Sequence, residues 1–430
     1  MHSINQQRQT HPKRYRLDTA ANLYPAIRGR KRPGVFRLSA VLAQPVQPYL
    51  LQIALNTTLK RIPSFSVKLR SGLFWHYFIH SDDLLPVQEY GPIPCMVLSS
   101  KKNNGFLIRV GYHGCRIAVE VFHSISDGAG AMVFLKTLIA QYLNLLGNSV
   151  PPTEGILDCK ETPDPSESKD CFQVFAGSST TRSRRKPRAF HIRGSLIPPY
   201  SLKTITGTIP IKAIHSESKT HGVSITEYMV AVYLFTLARI QLSEAHRRPL
   251  PIKIQVPVNL RQFYKTKTLR NFSAFVTPGI DPTQGEYTFS EILKLVHHFL
   301  HYEVTEKHLR TQVASNVRST KNPLIRITPL LIKNRLIHLG FKYLGPSSFT
   351  STISNLGMIN IPAEMAEHVE TFDLTLGATQ DTNISCGMLG YADEVRIFFS
   401  RVIEETHVEQ EFFSFLVKQG LPVTIECNKE

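Results

Sequence analysis

The sharpest change of hydrophobic period in the chain falls around residue 123. Cys115–Phe122 alternates, with Ile117, Val119 and Val121 two apart, which predicts a strand. From Ala129 to Ala140 apolar residues return at helical spacing, which predicts a helix running to about Leu146. His123-Ser124-Ile125-Ser126-Asp127-Gly128 joins the two. The same reading predicts strands at Val35–Leu42, Phe74–Ile79, Cys95–Leu98 and Phe106–Tyr112. It predicts a helix over Val46–Lys60, with Leu50, Leu51, Ile53, Ala54 and Leu59 on one face. In the second half, strands are predicted at Lys203–Ile209, Ile252–Val258, Phe349–Ile353, Val369–Leu376 and Val395–Ile403. Helices are predicted at Glu227–Leu242, Phe289–Val304, Pro329–Leu339 and Val408–Lys418. Ser224-Ile225-Thr226-Glu227 has the form of a capping box, in which hydroxyl and carboxylate satisfy the free N–H groups of a helix start.

Between the halves the composition shifts. Residues 151–195 are rich in Pro, Ser, Thr and charge and carry the basic run Arg182-Ser183-Arg184-Arg185-Lys186-Pro187-Arg188. This predicts a crossover linker, with the run as a solvated segment and nucleic acid excluded for want of a supporting fold. Residues 1–16 are polar and basic and are expected to be a flexible arm, with no apolar core of a secretory signal. The expected organisation is therefore an arm at 1–16, an N-terminal subdomain at 17–150, the linker at 151–195 and a C-terminal subdomain at 196–430.

Composition narrows the class. A chain of 430 residues with 42% hydrophobic residues can bury more than one core. The formal charge of +17 suits anionic partners. Cys95, Cys115, Cys159, Cys171, Cys386 and Cys427 form no CxxC pair, which argues against a zinc site and for reduced thiols in a cytoplasmic protein. No uninterrupted apolar run of about 18 residues predicts a membrane span. His297 and His301 lie one helical turn apart, but no HExxH pattern includes them, so they read as a helix face and no metal is expected.

The chemistry lies at the 123–128 corner. A neutral imidazole is suited to removing a proton from an attacking hydroxyl. Asp127 could orient His123 or serve structure, and Gly128 keeps space open beside it. His123, Asp127 and Gly128 match the HxxxDG signature, and the chain resembles the CoA-dependent acyltransferase superfamily. That group includes chloramphenicol acetyltransferase, alcohol acetyltransferases, plant acyltransferases and peptide-synthetase condensation domains. The surroundings are most similar to bacterial alcohol acetyltransferase-like proteins. Three further landmarks fall in order: Leu59-Lys60-Arg61-Ile62-Pro63-Ser64-Phe65, Val256-Pro257-Val258-Asn259-Leu260-Arg261 and Ser354-Asn355-Leu356-Gly357.

The resemblance implies a mixed α/β fold of two chloramphenicol acetyltransferase-like subdomains with a tunnel between them. It implies His123 as general base and Asp127 turned from the substrate to pair with Arg261. Ser354 and Asn355 become candidates to stabilise an oxyanion or position substrate. The implied reaction moves an acyl group, plausibly acetyl, from acyl-CoA as co-substrate to a small-molecule or lipid alcohol, with no tightly bound cofactor. Two alternatives stand: an acyl carrier protein as donor in lipid or peptide assembly, or an inactive binding module. Phe122 replaces the second His of condensation domains, and Thr371-Phe372-Asp373-Leu374 does not match the DFGWG segment of plant enzymes. A monomer, cytoplasmic or peripheral to the membrane, is expected.

Overall fold

The computed structural model describes residues 13–29, 31–91, 93–98, 101–176, 188–199, 201–244, 248–344, 348–379 and 382–427. Most of the expected arm, residues 1–12, lies outside these, as do residues 177–187 with Arg182, Arg184, Arg185 and Lys186 of the basic run; Arg188 is exposed.

Two mixed sheets carry the architecture. The first runs Val369–Thr375, Val35–Leu42, Arg116–Phe122, Ile108–His113, Gln88–Glu89. Its middle strand buries Ile117, Val119, Val121 and Phe122. Glu120 is buried there too, and is tolerated because Arg37 Nη2 meets its carboxylate at 2.7 Å and Arg109 closes on it from the next strand. The edge strand Val369–Thr375 comes from the second half of the sequence and sets Phe372 opposite Ala40 and Leu374 opposite Leu38. The sheet thus draws on residues that the sequence reading places in the C-terminal subdomain.

The second sheet runs Ser273–Val276, Ile252–Asn259, Ser351–Met358, Ile384–Tyr391, Glu394–Arg401, Lys203–Pro210, Thr424–Cys427, with Gly279–Ile280 pairing beside Ile252–Asn259. Ser351–Met358 is parallel to both neighbours; the other pairings are antiparallel. Ile384–Tyr391 is absent from the sequence reading. It is buried along its whole length, so it shows no alternation. Its glycines admit neighbours: a Cβ on Gly390 would sit 2.3 Å from Met358 Sδ, and one on Gly387 2.9 Å from Leu374 Cδ2.

Other expectations need correction. Cys95–Leu98 forms no strand, and Cys95 itself has φ 58°. Arg14–Arg16, expected in the flexible arm, pairs antiparallel with His76–His80. The described parts of residues 151–195 hold turns, a short helix at Cys171–Phe175, and buried Cys171, Phe172, Phe190 and Ile192, which complete the second core. Glu306–Lys321 is a further helix, hidden in the sequence because, among its described side chains, only Leu309, Val313, Ala314 and Val317 are buried.

The helix Ile225–Ser243 begins with the expected capping box: Ser224 Oγ accepts from Glu227 N at 3.2 Å, and Glu227 Oε2 accepts from Ser224 N at 2.7 Å. By length and composition this helix could cross a membrane, but 61% of its most apolar window is buried against the second core.

Arg61, in the first of the three landmarks, gains a physical role. It ends the helix Pro48–Arg61 and makes a bidentate pair with Glu167, at 2.7 and 2.8 Å, while its Nε bonds the Asp158 carbonyl at 3.0 Å. Both side chains are buried, at 4% and 6% exposure. Removing one partner leaves the other charge unpaired in the interior. Glu167→Ala is therefore expected to lower the free energy of unfolding by about 3–5 kcal/mol in urea titration. A loss under about 1 kcal/mol, the scale of a surface pair, would contradict this.

Candidate active site

His123 begins the turn that leaves the strand Arg116–Phe122, its backbone N–H bonded to the Gly34 carbonyl at 2.8 Å. Its ring stacks on Tyr24, centroids 4.6 Å apart and planes 8° apart, and meets Phe36 edge-on at 5.1 Å. Burial among these rings pushes the imidazole below its ordinary value of 6.5, favouring the neutral form.

The tautomer is fixed by a chain of buried polar groups. His123 Nδ1 lies 3.1 Å from Asn271 Oδ1, and Asn271 Nδ2 lies 3.3 Å from Asp18 Oδ2. Because the Asn271 amide donates to the Asp18 carboxylate, its oxygen faces His123 and accepts the Nδ1 proton. Nε2 is then the basic nitrogen left for the cavity that His123 lines. Asp18 is held by Ala21 N at 2.7 Å and Arg270 Nε at 3.4 Å, and burial pushes its carboxyl up to about 6.

Asp127 turns away from His123. It caps the helix Gly128–Leu145, where Oδ1 accepts from Gly130 N at 3.0 Å. Its Oδ2 accepts from Phe272 N at 2.8 Å and from Arg261 Nη1 at 2.9 Å. Arg261 also donates to the carbonyls of Thr268, at 2.9 Å, and Arg270, at 2.6 Å, and to Asn259 Oδ1 at 3.2 Å. The cation therefore shapes the same loop that carries Asn271.

The glycines beside Asp127 have separate reasons. A Cβ on Gly128 would stand 2.7 Å from Leu356 Cδ2, a side chain that can move. One on Gly130 would stand 2.1 Å from the Leu269 carbonyl oxygen, which cannot move without the loop. The close approach at Gly130 is reinforced by Ser126 Oγ, which donates to the same carbonyl at 2.5 Å.

A cavity of about 620 Å³ opens at this corner, lined by His123, Asp127 and Gly128 on one side and by Thr226, Glu227, Val258, Phe275, His301, Ser354 and Asn355 among others. The volume suits a small-molecule ligand. Within it, Asn355 is committed to structure: Nδ2 donates to Thr226 Oγ1 at 2.9 Å, and Oδ1 accepts from Gly357 N at 2.8 Å. Ser354 lines the cavity without such bonds among the described residues.

The structure therefore brings His123, Asp127, Gly128, Ser354 and Asn355 to one cavity and joins Arg261 to it through Asp127. Tyr24, Asn271 and Asp18 are missing from the sequence reading. Asn271 is 148 positions from His123 and 253 from Asp18, and neither residue belongs to a pattern that a single sequence displays.

No protein-family model matches the chain, and no curated protein matches it by sequence. Solved structures do match in fold. TRI101 of F. graminearum, complexed with coenzyme A and T-2 mycotoxin, is 12% identical with a TM-score of 0.65, covering 97% of this chain and 100% of that one. Polyketide synthase associated protein 5 of Mycobacterium tuberculosis is 15% identical with a TM-score of 0.59, covering 93% and 96%. The condensation domain of the Monacolin K polyketide synthase MokA is 11% identical with a TM-score of 0.59, covering 95% and 96%. The chain thus has the two-lobed, chloramphenicol acetyltransferase-like fold expected from its sequence.

Two measurements follow. Asp127→Ala and Arg261→Ala should each cost about 3 kcal/mol or more, and the double variant should lose far less than the sum; additive losses would show that the two act separately. By NMR, the His123 ring should carry its proton on Nδ1 at pH 7 and titrate below 6.5. Since the unfolded ring binds a proton at 6.5, this residue's contribution to stability is full above that pH and falls away as pH drops through the folded midpoint. A midpoint above 6.5, or an Nε2–H tautomer, would contradict the buried-base geometry.

Proposed function

We propose that the protein transfers an acyl group such as acetyl from acyl-CoA to the hydroxyl of a small-molecule or lipid acceptor. The observation that carries this reading is a neutral imidazole, held by Asn271 with Nε2 as its basic nitrogen, lining a cavity large enough for a reacting pair. Coenzyme A in the TRI101 complexes supports CoA as the donor. The net charge of +17 suits an anionic co-substrate.

In this mechanism His123 Nε2 takes the acceptor's proton as its oxygen attacks the thioester carbonyl. The C–O bond forms and the carbonyl becomes a tetrahedral oxyanion. Ser354, whose hydroxyl is uncommitted, is the proposed donor to that oxyanion; Asn355, already bonded to Thr226 and Gly357, holds the turn in place. Collapse breaks the C–S bond, and the imidazolium returns its proton to the departing thiolate. Asp127 and Arg261 touch no reacting atom and act by holding the corner and the Asn271 loop.

A carrier-protein donor is the second reading, favoured by the fold shared with condensation domains. Phe122 stands where those domains carry a second His, which weighs toward CoA.

The test is release of free thiol from acetyl-CoA across a panel of alcohols. His123→Ala should lower turnover at least about a hundredfold while the variant stays folded. A folded variant that keeps its turnover would remove His123 from the chemistry. Thiol release with no alcohol, alongside activity with an acylated carrier protein, would favour the second reading.

A further inference from the structure

The His297–His301 pair is not simply a helix face. The two rings project from the helix Phe289–Glu303 toward Glu227, in the first turn of the helix Ile225–Ser243. Glu227 Oε1 lies 3.3 Å from His297 Nδ1 and 3.2 Å from His301 Nε2, and one donor atom from each residue falls within 4.8 Å of the others. We propose that Glu227, His297 and His301 form a binding site for a divalent, nitrogen-seeking cation of the Zn²⁺ class.

Three observations carry it. First, a tetrahedral zinc with bonds of 2.0–2.2 Å holds neighbouring donors about 3.3 Å apart, the distance found here from the Glu227 carboxylate to each imidazole, and the two imidazole donors lie within 4.8 Å of one another. Second, His297 Nδ1 is buried and has no hydrogen-bond partner, so its approach to Glu227 is not itself a satisfied hydrogen bond. Third, the carboxylate is already oriented: its other oxygen is held by Ser224 N at 2.7 Å, the outer support that metal ligands use. Imidazoles at i and i+4 with a carboxylate from a second helix match the two-His, one-acid donor set of zinc sites. A single-sequence search for HExxH cannot find it, because the acid lies 70 positions before His297.

The site borders the cavity: Glu227 and His301 line it together with His123. An ion there would fasten the wall formed by the two helices and present its remaining position toward the cavity. The proposal does not rest on the acyl-transfer reading, since its test measures binding alone.

Untagged, chelator-treated protein would be titrated with Zn²⁺ by calorimetry and with Co²⁺ by visible absorption. One equivalent of Zn²⁺ per chain and tetrahedral cobalt bands are expected. Glu227→Gln keeps a residue type the capping box accepts, and His301→Ala lies on an exposed helix face. Each should weaken Zn²⁺ binding at least about tenfold without a drop in metal-free melting temperature. His298→Ala, an exposed neighbour outside the cluster, should bind as the parent does. No saturable binding by the parent, or parental affinity retained in Glu227→Gln or His301→Ala, would overturn the site. So would loss of binding in His298→Ala, which would point to loose capture by a His-rich surface.

Discussion

The Asp127 carboxylate is the constraint on which the site depends. It is 5% exposed and accepts bonds from Gly130, Phe272 and Arg261. A carboxylate this deep is tolerable only with its charge paired and its lone pairs filled. Its partners come from both halves of the sequence, with 134 positions between Asp127 and Arg261. Satisfying it therefore docks the motif helix against the loop 268–272. That docking presses the Leu269 carbonyl onto Gly130 and delivers Asn271 to His123. The tautomer of the His123 imidazole is thus a consequence of the Asp127–Arg261 ion pair, which positions the loop carrying Asn271.

Much of the fold is legible along the chain wherever one face of an element is buried and the other is not. Lys203–Pro210, Ile252–Asn259 and His407–Lys418 all fall within a residue or two of expectation. Legibility fails where burial is total or minimal. Ile384–Tyr391 is enclosed on both faces and carries glycines where neighbours press close. Glu306–Lys321 shows the opposite case, a helix touching the core through a few side chains. The placement of Val369–Thr375 at the edge of the first sheet is a long-range pairing that no local period encodes.

The candidate site divides in the same way. His123, Asp127 and Gly128 lie within six consecutive residues, and their type and spacing point to the proposed chemistry. Arg261 and Ser354-Asn355 stand in short segments that resemblance can mark. Asn271 and Asp18 carry no local signal and Glu227 shows only its capping box, because what they face after folding is set by long-range contacts: His123, Asn271, and the pair His297 and His301.

In the proposed reaction His123 Nε2 takes the acceptor's proton beside a thioester held in the cavity it shares with Ser354. A crystal structure of the protein with coenzyme A tests it most directly. The CoA sulfur should lie in this cavity, within about 3.5 Å of His123 Nε2, with Nδ1 still bonded to Asn271. Coenzyme A seated elsewhere, or an imidazole whose Nε2 turns from the sulfur, would contradict it.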